Sequence, residues 1–110
     1  MADQDAVFKA MADASRRDLL DRLRLRNGQT LNQLCENLAM TRQAVTKHLG
    51  ILEAADLVVT VKKGREKFHY LNPVPISDIY LRWIGRFETD RMQALSSLTQ
   101  TLKEQKNDDT

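Results

Sequence analysis

Along residues 41–58, TRQAVTKHLGILEAADLV, apolar side chains recur at helical spacing. Wound at about 100° per residue, Ala44, Val45, Leu49, Ile51 and Leu52 fall on one side, and Gln43, Thr46, Lys47 and Gly50 on the other. The aliphatic side requires a core. The opposite side carries short hydrogen-bonding groups between cations, unlike the Glu/Lys mixture of an ordinary solvated face. Thr41 is placed to cap this helix. Upstream, Val7, Phe8 and Met11 predict a short first helix. Asp13 caps a second, with Leu19, Leu20 and Leu23 as its buried stripe and Asn27-Gly28 as its end. Thr30 caps a third, LNQLCENL, of about two turns, with Leu31, Leu34 and Leu38 inward. Ala39-Met40 then make a tight connection to the quoted helix.

After residue 56 the pattern changes. LVVTVKK and REKFHYL are β-rich runs on either side of Lys63-Gly64, which predicts an antiparallel hairpin. Asn72-Pro73-Val74-Pro75 interrupts, and from about Ser77 a single helix is expected to run to about Lys103, roughly 40 Å long at 1.5 Å per residue. Ile76, Ile79, Tyr80, Trp83, Phe87, Ala94, Leu95, Leu98 and Leu102 form a stripe along it that is longer than so small a domain can cover. A homodimer follows as an expectation, held by the first and last helices, with Val7, Phe8, Ile79, Tyr80, Trp83, Phe87, Leu95 and Leu98 at the interface. The chain of 110 residues reads as one domain over residues 1–104, with a disordered tail over 105–110.

The predicted class is mainly α with a small β-hairpin. Two short helices joined by a tight turn, the second with a polar outer face and followed by a basic hairpin, is the order of a winged helix-turn-helix. Thr41, Arg42, Gln43, Thr46 and Lys47 are then candidates to meet base edges and phosphates in a major groove, where Gly50 lets the backbone approach. Lys62, Lys63, Arg65 and Lys67 on the hairpin are candidates for the neighbouring DNA backbone. The charge distribution points the same way: net charge is only +2, but residues 41–70 hold six basic and three acidic side chains.

The runs FKAMADASRRDLLDRL, LNQLCENLAMTRQAVTKHLGILEAADLV and KKGREKFHYLNP, followed by RWI, resemble the ArsR family of bacterial transcriptional regulators over residues 5–102. Within it the chain is most similar to members without metal-binding motifs. The resemblance implies a homodimeric, sequence-specific DNA-binding repressor acting on an inverted-repeat operator, commonly that of its own operon. Ala14-Ser15 stands where many relatives have Pro-Thr.

Metal-sensing relatives carry a cysteine pair in the third helix or Asp and His ligands in the last, and this chain has one cysteine, Cys35, and no histidine after His69. No metal and no other cofactor is therefore expected. Cys35 reads as a small buried apolar residue, with a thiol-responsive regulator as the competing reading. His48 falls at the helical angle of Val45, Ile51 and Leu52 and reads as packed. There is no G-x-S-x-G, no phosphate loop and no Cys-His arrangement, so an enzyme is not expected. No stretch approaches the ~18 apolar residues of a membrane span, and the N-terminal segment lacks an export signal, so a cytoplasmic location is expected. A protein–protein interaction module with the same fold is the rival to DNA binding.

Overall fold

In the computed structural model, residues 3–85 and 89–108 are described. The first helix, α1 (Gln4–Met11), is capped by Asp3, whose Oδ1 accepts from the Asp5 amide at 3.0 Å. The second, α2 (Ala14–Leu25), starts where Asp13 Oδ1 accepts from the amides of Ser15 at 2.8 Å and Arg16 at 3.1 Å. Arginines in its first turn reach back to the end of α1: Arg16 Nε donates to the Ala10 carbonyl at 2.7 Å, and Arg17 Nη1 to that of Met11 at 2.7 Å. The last carbonyls of α1, which have no partners within the helix, are thereby satisfied.

Thr30 and Gln33 form a capping box at the start of α3 (Leu31–Cys35): the Gln33 amide donates to Thr30 Oγ1, and the Thr30 amide to Gln33 Oε1. This helix is shorter than the two turns expected. Glu36 already leaves the helix in an extended conformation, φ −62° and ψ 131°, and Asn37 follows at φ +59°, a left-handed conformation that asparagine tolerates. The helix quoted from the sequence is α4 (Arg42–Ala54), with Thr41 Oγ1 accepting from the Ala44 amide. Asp56 at φ +61° ends it, the Leu57 amide donating to Leu52 and the Asp56 amide to Glu53 in the paired pattern of a Schellman motif.

Strands β1 (Val58–Lys63) and β2 (Glu66–Leu71) pair antiparallel, with Val58 opposite Leu71 and Lys63 opposite Glu66. The turn residues are Gly64 and Arg65, one position later than expected. Gly64 at φ +63° supplies the positive dihedral that a two-residue hairpin loop needs at its first position. A bridge that the sequence did not suggest joins Gln29 to His69, so β2 is also attached to the α2–α3 connection.

The first of two structural units ends at Ile79. Its core is built from Val7 and Ala10 of α1, Leu19, Leu20 and Leu23 of α2, Leu34 of α3, Val45, Leu49 and Leu52 of α4, and Ala55, Leu57 and Val58 beyond it. Val7, expected at a subunit interface, is fully enclosed in this core. An apolar side chain there is already withdrawn from water within its own chain and has no face left for a partner.

The second unit begins at Tyr80. The expected single helix is two: α5 (Val74–Trp83), which begins in the first unit, and α6 (Thr89–Asp108). Asn72 Oδ1 accepts from the Val74 amide at the start of α5, and Pro75 fits in its first turn because no helical hydrogen bond is required of its nitrogen there. At the other end the amides of Ile84 and Gly85 both donate to the Tyr80 carbonyl at 2.8 Å, closing α5. Glycine has low helix propensity, and the periodicity of the stripe concealed this stop. Phe87 lies outside the described residues. α6 continues to Asp108, so residues 105–108, expected in a disordered tail, are helical. No Gly or Pro interrupts it, and Gln100 and Glu104 are bonded one turn apart.

Candidate nucleic-acid interface

Val45, Leu49 and Leu52 anchor α4 in the core and thereby fix which face turns out. Thr41, Arg42, Gln43, Thr46 and Lys47 are all exposed on that face. Arg42 donates to Asn32 Oδ1 of α3, which ties the two helices of the helix-turn-helix together across their turn. Thr46 Oγ1 donates to the Arg42 carbonyl at 2.9 Å, leaving its methyl and oxygen lone pairs for an outside group. Among the described residues, Gln43 and Lys47 have no hydrogen-bond partner, so their donors and acceptors are available. Gly50 lies on the same exposed side, with no atom within 4 Å of where a Cβ would stand.

The hairpin cations are not equivalent. Lys62, Lys63 and Arg65 are exposed and without an ion-pair partner among the described residues. Lys67 instead reaches α4, its Nζ 3.4 Å from Glu53 Oε1. Between α3, α4 and β2 lies an open cleft of about 330 Å³, whose walls include Asn32, Arg42, Thr46, Glu53, Arg65 and Lys67. The exposed face of α4 and the basic hairpin therefore border one concave surface.

Two groups near this surface serve the fold. His48 is half-buried, with Arg16 Nη1 3.4 Å from its Nδ1, in agreement with the packed reading. Asp13 is held below the usual aspartate range, first by the hydrogen bond from the Arg16 amide and further by the Arg16 guanidinium 3.9 Å away. Sequence reasoning missed Gln29, His69, Asn72 and Glu53. Asn72 Nδ2 donates to the Asp56 carbonyl at 2.8 Å and fixes the base of the hairpin to the end of α4. Local spacing carries little trace of these bonds, which join residues far apart in the chain.

Cys35 is partly buried against the core, and among the described residues no cluster of three or more His, Cys, Asp or Glu side chains could hold a metal ion. No helix among them is long and apolar enough to cross a membrane.

A family model described as a helix-turn-helix domain matches residues 11–61. The chain is 40% identical over 87 residues to the uncharacterized HTH-type transcriptional regulator YuzN of Bacillus subtilis, covering 74% of this chain and 95% of that protein. It is 30% identical over 81 residues to the transcriptional repressor SdpR of the same organism, covering 74% and 88%. Among solved structures, an ArsR-like transcriptional regulator from Rhodococcus sp. RHA1 superposes with a TM-score of 0.65 at 31% identity, covering 89% of this chain and 91% of that one. These relatives are regulators of transcription and not enzymes. Sequence and fold agree: the chain belongs to the ArsR family of winged helix-turn-helix transcriptional regulators and carries its DNA-binding domain.

Proposed function

We propose that the protein is a homodimeric repressor that binds an inverted-repeat operator, that of its own operon among its targets. The observation carrying this reading is the outer face of α4, where Gln43 and Lys47 stand exposed and unengaged on a helix held rigid by three buried aliphatic side chains. Gln43 has the amide pair that reads adenine, Thr46 a methyl suited to thymine, and Arg42 and Lys47 reach guanine or phosphate. Thr41 lies at the helix start, where the chain meets the DNA backbone. Lys62, Lys63 and Arg65 contact phosphates beside the groove, and Lys67 acts there only as far as its pairing with Glu53 allows.

Pairing of two copies is supported by the apolar side chains that a single chain leaves open. Phe8 on α1, Tyr80 and Trp83 on α5, and Leu95 and Leu98 on α6 are each about half exposed, and Ile79 is partly so. Two-fold symmetry then places the half-site centres roughly 10 base pairs apart, one turn of DNA. The repressor role is supported by the likeness to SdpR. Footprinting on the DNA upstream of the gene, together with binding measured across a salt series, tests the reading. Protection of a symmetric site and a steep salt dependence are expected. A flat salt response would leave the winged helix as a protein–protein interaction module.

A further inference from the structure

The hairpin is held to its unit by a buried polar knot. Gln29 is 7% exposed and His69 4%. The His69 amide donates to the Gln29 carbonyl at 2.8 Å, and the amides of Gly28 and Gln29 donate to the His69 carbonyl at 3.0 and 3.1 Å. His69 Nδ1 lies 2.9 Å from the same Gln29 carbonyl, which can only accept, so Nδ1 carries the proton. Gln29 in turn uses its side-chain Nε2 to donate to the carbonyls of Arg22 at 2.9 Å and Arg26 at 2.6 Å, at the end of α2. One continuous path of hydrogen bonds thus runs from the end of α2 through Gln29 to the middle of β2.

An isolated bridge leaves a strand free to roll about it. A side-chain bond from the same residue to the same carbonyl, directed differently, removes that roll. His69 is four residues from Arg65 along the hairpin, and it lines the cleft that Arg42 and Thr46 border from α4. We infer that His69 is a positioning residue: its Nδ1 bond to Gln29 sets the angle of the hairpin against α4, so that Arg65 and the outer face of α4 engage one duplex together. The inference rests on the proposed use of those two surfaces in DNA binding.

Asparagine places an amide nitrogen close to where the Nδ1 of histidine lies, whereas glutamine reaches toward the position of Nε2. His69→Asn, His69→Gln and His69→Ala in the full chain therefore separate the two ring nitrogens, and the Asn/Gln pair remains informative if the alanine variant fails to fold. Amide hydrogen exchange at Gln29, Thr60 and His69 is measured without DNA. Binding is measured to a duplex selected by the wild-type protein from a randomised library and to its scrambled counterpart. His69→Asn should keep slow exchange and hold the preference for the selected duplex within about twofold. His69→Gln should exchange faster at Gln29 and lose about tenfold of that preference, the loss expected from one hydrogen bond to a buried carbonyl. Binding to scrambled DNA should change little. The inference is overturned if His69→Gln keeps the preference while His69→Asn loses it, which would assign the role to the cleft-facing nitrogen. It is equally overturned if both variants match wild type in exchange and preference. If wild type itself shows no salt-dependent DNA binding, the proposed function fails, and the order of the exchange rates still decides whether His69 holds the hairpin.

Discussion

The two units treat apolar side chains in opposite ways. In the first, α4 turns Val45, Leu49 and Leu52 into a closed core and leaves Arg42, Gln43, Thr46 and Lys47 outside, with Ile51 at the edge, 38% exposed. In the second, Tyr80, Leu81, Trp83, Ile84, Met92, Leu95, Leu98 and Leu102 retain between 37% and 58% of their accessibility. The first unit encloses a core of its own and carries a polar face on α4, while Phe8, Leu25, Ile51, Val59, Val61 and Val74 stay exposed at its surface. The second retains a series of exposed apolar side chains, the kind of surface that marks an interaction site. On the proposed function, DNA recognition draws on the first unit, and pairing draws mainly on the second with Phe8 and Ile79 from the first, so the two should be largely separable by mutation.

The sharpest test sets a core leucine against one from α6. Leu52→Ala or Leu23→Ala should lower stability by about 2–5 kcal/mol at any protein concentration, measured by urea denaturation. Leu95→Ala should leave a dilute chain nearly unaffected and act on assembly, raising the dimer dissociation constant about tenfold or more in sedimentation. Equal, concentration-independent losses from Leu52→Ala and Leu95→Ala would abolish the distinction.

Within the first unit, the outer face of α4 and the hairpin should fail differently. Gln43→Ala is expected to weaken operator binding by about 1–3 kcal/mol and relax discrimination at one base pair per half-site, with little loss on random DNA. Arg65→Ala should weaken both duplexes alike and flatten the log–log salt slope by about 0.9 for each phosphate it no longer neutralises. Fluorescence anisotropy across a salt series reads both, and identical behaviour of the two variants would merge the surfaces into one.

The smallest effect concerns acid stability. The Asp13 carboxyl is lowered in the folded chain, so the unfolded state binds the proton more readily. Its contribution is complete above the ordinary aspartate range and disappears as pH falls through its lowered value. Asp13→Asn, which still caps α2, should flatten that part of the stability profile in urea titrations at successive pH values. Unchanged curvature would mean that Asp13 does not titrate as its hydrogen bonds imply.

How much of this was legible in the sequence depended on how local the cause was. Thr30, Thr41 and Asp13 announce helix starts because a cap acts over three residues, and Val45, Leu49 and Leu52 declare the buried side of α4 by their period, although Ile51, read on the same side, is 38% exposed. The early end of α3 was hidden because it depends on a turn at Glu36 and Asn37, extended then left-handed, inside an otherwise helical pattern. Periodicity also ran across Gly85 and made two helices look like one. The bond between His69 and Gln29 spans 40 positions and leaves no local mark at all. At the outer face of α4, proposed to meet DNA, residue types and their helical face were readable. The pairing of Lys67 with Glu53 was not, since it requires knowing where β2 passes α4.

Gly50 sits inside a regular helix with open space above it. At such a place alanine improves the helix by about 1 kcal/mol, because glycine gives up more backbone freedom on folding. If a duplex lies against α4, the same methyl group stands between the helix backbone and the DNA. Variants selected for heat resistance alone should therefore accumulate alanine at position 50, whereas variants selected for operator binding should keep glycine, so the outcome at this one site records which of the two demands a population has faced.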